Sequence, residues 1–148
     1  TLFPYTTLFR SRTGSSGIPA EIRGSGHKHT DRKFISTFKA IVENNIANDK
    51  FALEDICKQM TISKVQLHRK VKSLLNSNIN EYILTARLQK AKYYLRHEEL
   101  SIAEVAYKTG FSSPAYFSTV FKTKLGVSPT VFKENPVDIK EKDSNQAF

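Results

Sequence analysis

Two stretches of the chain, 51–75 and 101–126, share one arrangement of hydrophobic and polar positions. In each, a short segment with apolar residues three to four positions apart leads into a turn and then into a second such segment, as amphipathic helices do. Gly110 supplies the turn of the second stretch, and Ser113 after it is a residue type that caps helix N-termini. The pattern therefore predicts two helix-turn-helix units.

The two units align with each other as an internal repeat. A shift of 49 positions pairs Thr61 with Gly110, and a shift of 50 pairs Leu67 with Phe117, so the second turn is one residue longer. A repeated unit is stronger evidence for an architecture than a single motif. If Thr61 adopts a left-handed conformation, as Gly110 is free to do, it strains the first turn by about 1–2 kcal/mol.

Apolar periodicity outside these units predicts further helices and an all-α fold. An opening helix covers 31–45, a long helix covers 80–97, and Ser128 with Pro129 begins a short final helix. The long helix joins the two units, and its roughly 18 residues would span about 27 Å, a useful length beside the roughly 34 Å between neighbouring major-groove faces of DNA. This length allows one chain to place both units on a duplex.

The two ends of the chain lack this periodicity. Residues 1–29 are rich in Gly, Ser and Thr, and 136–148 are charged without an apolar stripe. We therefore expect one domain at 30–135, preceded by a disordered tail and followed by a second tail.

Composition narrows the class of function. The net charge of +9 and the pI near 9.7 favour a polyanionic partner, because phosphates attract Lys and Arg. A single cysteine fits a reducing compartment, and no apolar run approaches the roughly 18 residues that a membrane span needs. These features predict a cytoplasmic protein with no membrane partner.

Motifs for catalysis or for metal and cofactor binding are missing from the sequence. It contains no Gly-rich phosphate loop, no Cys–His metal spacing and no nucleophile with its base. Glu54 and Asp55 come nearest to a carboxylate pair, but they fall in a first helical turn, where negative charge suits the helix dipole. We therefore expect no enzymatic activity, no cofactor and no metal.

The run IAEVAYKTGFSSPAYFSTVFKTKLGVSP, residues 102–129, is similar to the signature of the AraC/XylS family of bacterial transcription regulators. The resemblance extends over about 32–135. It implies seven helices, two helix-turn-helix subdomains with a connecting helix, and promoter binding that usually activates transcription. The GFSSPAYFSTVFK part also resembles the output domains of hybrid two-component regulators.

The buried residues of the first unit's second helix define its outward face. With Leu67 and Val71 inward, a rotation of 100° per residue turns the opposite positions toward solvent. The outward or edge positions are Val65, His68, Arg69, Lys72 and Ser73. Arg69 is the leading base contact because its guanidinium can donate two hydrogen bonds to guanine, worth about 1–3 kcal/mol of discrimination. Val65 and His68 are further predicted base contacts, and Lys72 is a predicted phosphate contact.

The second unit supplies the matching positions on its own second helix. The predicted base contacts there are Ala115, Ser118 and Thr119. Members of the resembled family often carry Arg where Thr119 stands, so this helix is expected to contact phosphates more than it reads bases. The predicted phosphate contacts of this unit are Ser113, Tyr116 and Lys122.

Alternatives remain open at this level. Each exposed lysine can be a solvated surface charge, and Arg69 can instead pair with an acidic side chain. The domain can also be a helical protein-interaction module that docks on RNA polymerase or a partner regulator. The charged linker surface suited to that role comprises Lys90, Lys92, Glu98 and Glu99. The isolated domain is expected to be monomeric; its target site and its signal do not follow from the sequence.

Overall fold

The computed structural model describes residues 20–136 of the chain, with side chains from residue 28 onward. All regular structure in this part is helical, which confirms the all-α prediction. The helices are α1 Ala20–Asn44, α2 Leu53–Met60, α3 Lys64–Leu75, α4 Ile79–His97, α5 Ile102–Lys108, α6 Pro114–Leu125 and α7 Pro129–Glu134. The first helix-turn-helix unit is α2 with α3, the second is α5 with α6, and α4 is the predicted linker.

The start of the first helix differs from its prediction: α1 begins at Ala20, not near residue 30. Gly24 and Gly26 interrupt the apolar pattern there, but extending a helix costs much less than nucleating one. Segments 1–19 and 137–148, the rest of the predicted tails, lie outside the described residues. Contacts divide the chain between Thr37 and Phe38 into two compact parts. The helices after α1, and so both helix-turn-helix units, belong to the second part.

Polar residues at the N-termini determine where most helices begin. In five helices the N-cap side chain accepts a hydrogen bond from the backbone N–H three residues later. These N-caps are Ser63, Asn78, Ser101, Ser113 and Ser128. Helix α2 has Ala52 at this position, and its N–H donates instead to Asp55 Oδ2 at 2.8 Å. Asp55 lies in the first turn of α2, as predicted, and it also accepts a hydrogen bond that the prediction did not include.

Two sets of buried side chains support the two helix-turn-helix units. The first includes Ile56, Leu67 and Val71, which are fully buried. In the second, four phenylalanines pack in series at centroid distances of 5.0, 5.6 and 5.6 Å. They are Phe111, Phe117, Phe121 and Phe132. Helix α4 packs against α3 of the first unit, against α5 of the second unit and against α7, so it positions both units.

Candidate nucleic-acid interface

Helix α3 buries one face and exposes the other. Leu67 and Val71 are fully buried, while a capping box between Ser63 and Gln66 fixes the start of the helix. All the predicted outward residues are exposed, namely Val65, His68, Arg69, Lys72 and Ser73. Their predicted orientation is therefore confirmed, and their individual DNA contacts stay predictions. Val65 exposes 68% of its surface, so its methyl groups are available for contact with a thymine methyl.

Helix α6 repeats this division between a buried and an exposed face. Phe117 and Phe121 are fully buried on the inner side. On the outer side Ala115, Tyr116, Thr119 and Lys122 are exposed, whereas Ser113 and Ser118 are half-buried. The structure thus brings the predicted residues of the second unit together on one face, with the two serines at its margin.

Local hydrogen bonds limit what two of these residues can offer a ligand. The Thr119 hydroxyl donates to the Ala115 carbonyl at 3.1 Å, so the helix already uses its single donor. The Ser113 Oγ accepts from the Tyr116 N–H at 3.2 Å, which leaves the hydroxyl proton available to a phosphate oxygen. Thr119 therefore has no free donor for a base edge, and the larger share of phosphate contact at α6 stays a prediction.

Tyr116 lies at the same end of α6 as Ser113. Its ring contacts the Phe111 ring at a centroid distance of 5.9 Å, and 53% of the residue is exposed. Backbone N–H groups at a helix N-terminus attract anions, so this end of α6 suits a phosphate group. Two of the predicted phosphate contacts therefore share one location.

The turns of the two units confirm the predicted repeat in their backbone hydrogen bonds. The Ile62 N–H donates to the Cys57 carbonyl at 3.2 Å, and the equivalent Phe111 N–H donates to the Ala106 carbonyl at 3.0 Å. Thr61 is left-handed with φ 55°, as Gly110 is with φ 82°. The extra residue lies between Gly110 and the N-cap of α6, where the sequence alignment placed it.

Two lysines near the interface are paired with carboxylates, which the sequence analysis did not foresee. Lys64 Nζ lies 2.7 Å from Glu54 Oε1, and Lys124 Nζ lies 2.6 Å from Glu81 Oε1. The hydrogen bond to Lys64 lowers the pKa of Glu54 below its usual value. Both pairs join different helices, so helical periodicity carried no signal for them. Lys72 and Lys122, in contrast, have no carboxylate partner among the ion pairs of the described residues.

Two further findings concern residues 20–136. No group of three or more His, Cys, Asp or Glu side chains there is arranged to hold a metal ion. None of the helices from α1 to α7 has the length and apolar character needed to cross a membrane.

A family profile described as a helix-turn-helix domain matches residues 56–135, more than half of the chain. The chain is 31% identical over 115 residues to histidine kinase P4 of Formosa agariphila, covering 78% of this chain and 8% of the kinase. It is 31% identical over 103 residues to the Msm operon regulatory protein of Streptococcus mutans, covering 70% of this chain and 37% of that protein. It is 34% identical over 86 residues to the transcriptional activator RhaR of an Enterobacter species, covering 58% of this chain and 30% of RhaR. The chain thus spans well under half the length of these relatives.

Solved structures with the same fold come from regulators as well. The C-terminal domain of AraT, a response regulator from Geobacillus stearothermophilus, superposes with a TM-score of 0.64 at 27% identity, covering 72% of this chain and 88% of that one. The DNA-binding domain of the global transcriptional factor AdpA, solved in complex with a target DNA, gives a TM-score of 0.63 at 25% identity, covering 67% and 88%.

Proposed function

Because the chain belongs to the AraC-type helix-turn-helix family of DNA-binding transcription regulators, we propose that it recognises specific double-stranded DNA by placing α3 and α6 in two adjacent segments of the major groove. The observation that carries the proposal is the repeat itself. Both units bury one face of their second helix and expose the opposite, polar face. The matched Msm operon regulatory protein and RhaR are named as regulators, in agreement with the prediction that the chain is not an enzyme.

The two recognition helices differ in the contacts they offer. Helix α3 carries Arg69, His68 and Val65, which suit guanine, a base edge and a thymine methyl in turn. Helix α6 carries Thr119, whose donor is bonded within the helix, and Lys122, an exposed positive charge. We therefore assign most base discrimination to α3 and most of the second unit's affinity to phosphate contacts.

A selection from randomised duplexes, followed by binding measurements over a range of salt concentrations, tests this division. Arg69→Ala is expected to lose preference at particular base pairs, with a loss of about 1–3 kcal/mol on the selected site. Lys122→Ala is expected to weaken all duplexes alike and to reduce the salt slope by about 1. If both variants changed preference and salt slope in the same way, the assignment of roles would be wrong.

Two matched controls separate charge from geometry. Arg69→Lys keeps the positive charge but cannot make the two-pronged hydrogen bond, so it should keep the salt slope and lose the base preference. Lys90→Ala removes a lysine from α4, where its Nζ lies 5.5 Å from the centroids of the Tyr93 and Tyr94 rings. This second control should leave DNA affinity unchanged.

We further infer that the chain activates transcription as the output part of a longer signalling protein. RhaR and RhaS, which carry 34% identity over their matched segments, are named transcriptional activators. AraT is named a response regulator. The test fuses the chain to a constitutive dimerisation module and uses a reporter gene with the selected site placed upstream of it. In the presence of RNA polymerase, the fusion protein should raise expression of the reporter. Lower expression would indicate repression instead.

The alternative function as a protein-interaction module is favoured by exposed aromatic rings away from α3 and α6. Tyr93 on α4 is 50% exposed and Tyr107 on α5 is 56% exposed, and tyrosine is enriched at protein interfaces. Binding of purified RNA polymerase that survives nuclease and high salt, and that Tyr93→Ala abolishes, would support this function. Loss of binding on nuclease treatment would assign it to DNA.

A further inference from the structure

The turn of the second helix-turn-helix unit makes a close backbone contact, at Gly110, with the loop that precedes the first unit. Gly110 has φ +82°, and an added Cβ would lie only 2.1 Å from the Ile46 carbonyl oxygen. Ile46 belongs to the loop between α1 and α2, which leads directly into the first unit. The turn of the second unit therefore rests on the loop that begins the first.

Arg87 of α4 reaches the same contact from the side. Its Nη2 donates to the Asn48 carbonyl at 2.9 Å, and its Nε would lie 2.8 Å from a Cβ on Gly110. The Asn48 carbonyl also accepts a hydrogen bond from the Phe51 N–H at 3.1 Å. One carbonyl thus bonds to both the loop backbone and the linker helix α4. The guanidinium thus lies between the first unit's loop and the second unit's turn.

Placing a guanidinium here has a cost that stability alone does not explain. Burial lowers the pKa of Arg87 from its usual value, although Asp49 and Tyr116 oppose that change. The Arg87 Nε is buried without a hydrogen-bond partner in the described part of the chain. A buried, incompletely paired polar group destabilises a fold relative to an apolar one, and such groups are sometimes kept because they select one arrangement.

We propose that Arg87 is a positioning residue that holds the two recognition helices in one relative orientation and so sets the spacing of the DNA segments they contact. Helix α4 contacts α3 of the first unit, α5 of the second unit and α7. Beside this packing, Arg87 adds a hydrogen bond from α4 to the loop before the first unit, at the point where the Gly110 turn approaches that loop. The part of this inference that concerns DNA rests on the proposed function.

A measurement without DNA tests the orientation. In the 148-residue chain with Cys57→Ala, nitroxide labels are attached to cysteines placed at Gln59 on α2 and Thr123 on α6, both exposed positions. Pulsed electron–electron double resonance should give a narrow distribution of distances between the two labels in this doubly labelled protein. Arg87→Met, which keeps an unbranched stem but donates no hydrogen bond, should broaden it by about twofold or more.

A matched control removes a different link between α4 and α6. Glu81→Gln weakens the exposed Lys124–Glu81 ion pair and should leave the distance distribution unchanged. An unchanged width in folded Arg87→Met would overturn the inference. If Arg87→Met does not fold, Gly110→Ala attacks the same junction from the opposite side and should shift the mean distance, and an unshifted mean would overturn the inference equally.

Binding measurements then test the consequence for spacing. The probes are the duplex selected by the unmodified chain, the same duplex with one base pair inserted between its two halves, and a duplex with one half randomised. The unmodified chain should prefer the selected spacing by about tenfold or more, and Arg87→Met should reduce this preference to about threefold or less. Its affinity for the single-half duplex should stay within about twofold of the unmodified chain's.

The outcomes separate the two ideas. An undiminished spacing preference in Arg87→Met would refute the role of Arg87 in spacing. Absence of sequence-specific binding by the unmodified chain would refute the proposed function, while the label distances would still decide whether Arg87 holds the units in orientation.

Discussion

Replacement of Gly110 by alanine offers a quantitative test of the contact between the turn of the second unit and the loop that precedes the first, because Gly126 provides a matched control. Both glycines are left-handed, with φ +82° and +84°. They differ in their surroundings: a Cβ on Gly110 would lie 2.1 Å from the Ile46 carbonyl oxygen, whereas a Cβ on Gly126 would meet nothing within 4 Å. The difference between the two variants therefore isolates the close contact from the backbone strain.

The expected magnitudes follow from these two terms. A left-handed alanine costs about 1–2 kcal/mol, and the lower entropy of its unfolded chain returns about 0.4–1 kcal/mol. Gly126→Ala should thus lower the free energy of unfolding by about 1 kcal/mol. Gly110→Ala carries the same strain and adds overpacking of about 1–3 kcal/mol, for a loss of about 2–4 kcal/mol. Domains of this size are stable by about 5–15 kcal/mol, so the variant should still fold.

Urea unfolding followed by circular dichroism measures both changes under one condition. The m-values should stay equal, because neither variant alters the surface exposed on unfolding. Equal destabilisation of the two variants would show that Ile46 does not approach Gly110 in solution, and the structural basis of the Arg87 inference would fail with it.

Two further predictions concern single helix ends. Thr61→Gly should raise the free energy of unfolding by about 0.5–1 kcal/mol. The substitution removes the backbone strain of a β-branched residue at φ 55°, and this gain is larger than the entropy cost of glycine. Asn76→Gly at φ 50° should change it by less than about 0.5 kcal/mol, since asparagine tolerates this conformation; equal gains would refute strain at Thr61. The second prediction concerns Glu104, whose pKa hydrogen bonds with Ser101 hold below its usual value of 4.5. The ionised Glu104 carboxylate therefore stabilises the fold above pH 4.5. This stabilisation is lost as the pH falls through the lower pKa of the folded state. Glu104→Gln should therefore lose less stability than the unmodified chain between pH 6 and pH 3 in urea unfolding, and parallel losses would contradict this.

Much of the fold was predictable because its signals are local. The period of Leu67 and Val71, the N-cap at Ser113 and the glycine at the second turn each depend on residues within one or two helical turns. The repeat then allowed one unit to be checked against the other, which located the inserted residue. The start of α1 was missed because Gly24 and Gly26 obscure the period without preventing helix extension.

The candidate interface was predictable to the level of orientation. Burial of Phe117 and Phe121 turns Thr119 and Lys122 outward whatever the tertiary packing. The hydrogen bond from Thr119 to Ala115, which removes a donor from the interface, depends on a side-chain rotamer that periodicity does not define.

The sequence by itself determined the helices, their caps, the repeat and the outward faces of α3 and α6, because each of these follows from neighbours along the chain. Only the tertiary structure decided how the second unit and the linker helix contact the loop that precedes the first unit. Arg87 donates to a carbonyl 39 positions away, and Gly110 needs its hydrogen side chain because a distant loop passes beside it. Such contacts form only when the helices pack. Every residue has a backbone carbonyl, so the sequence gives no pattern from which these acceptors can be predicted.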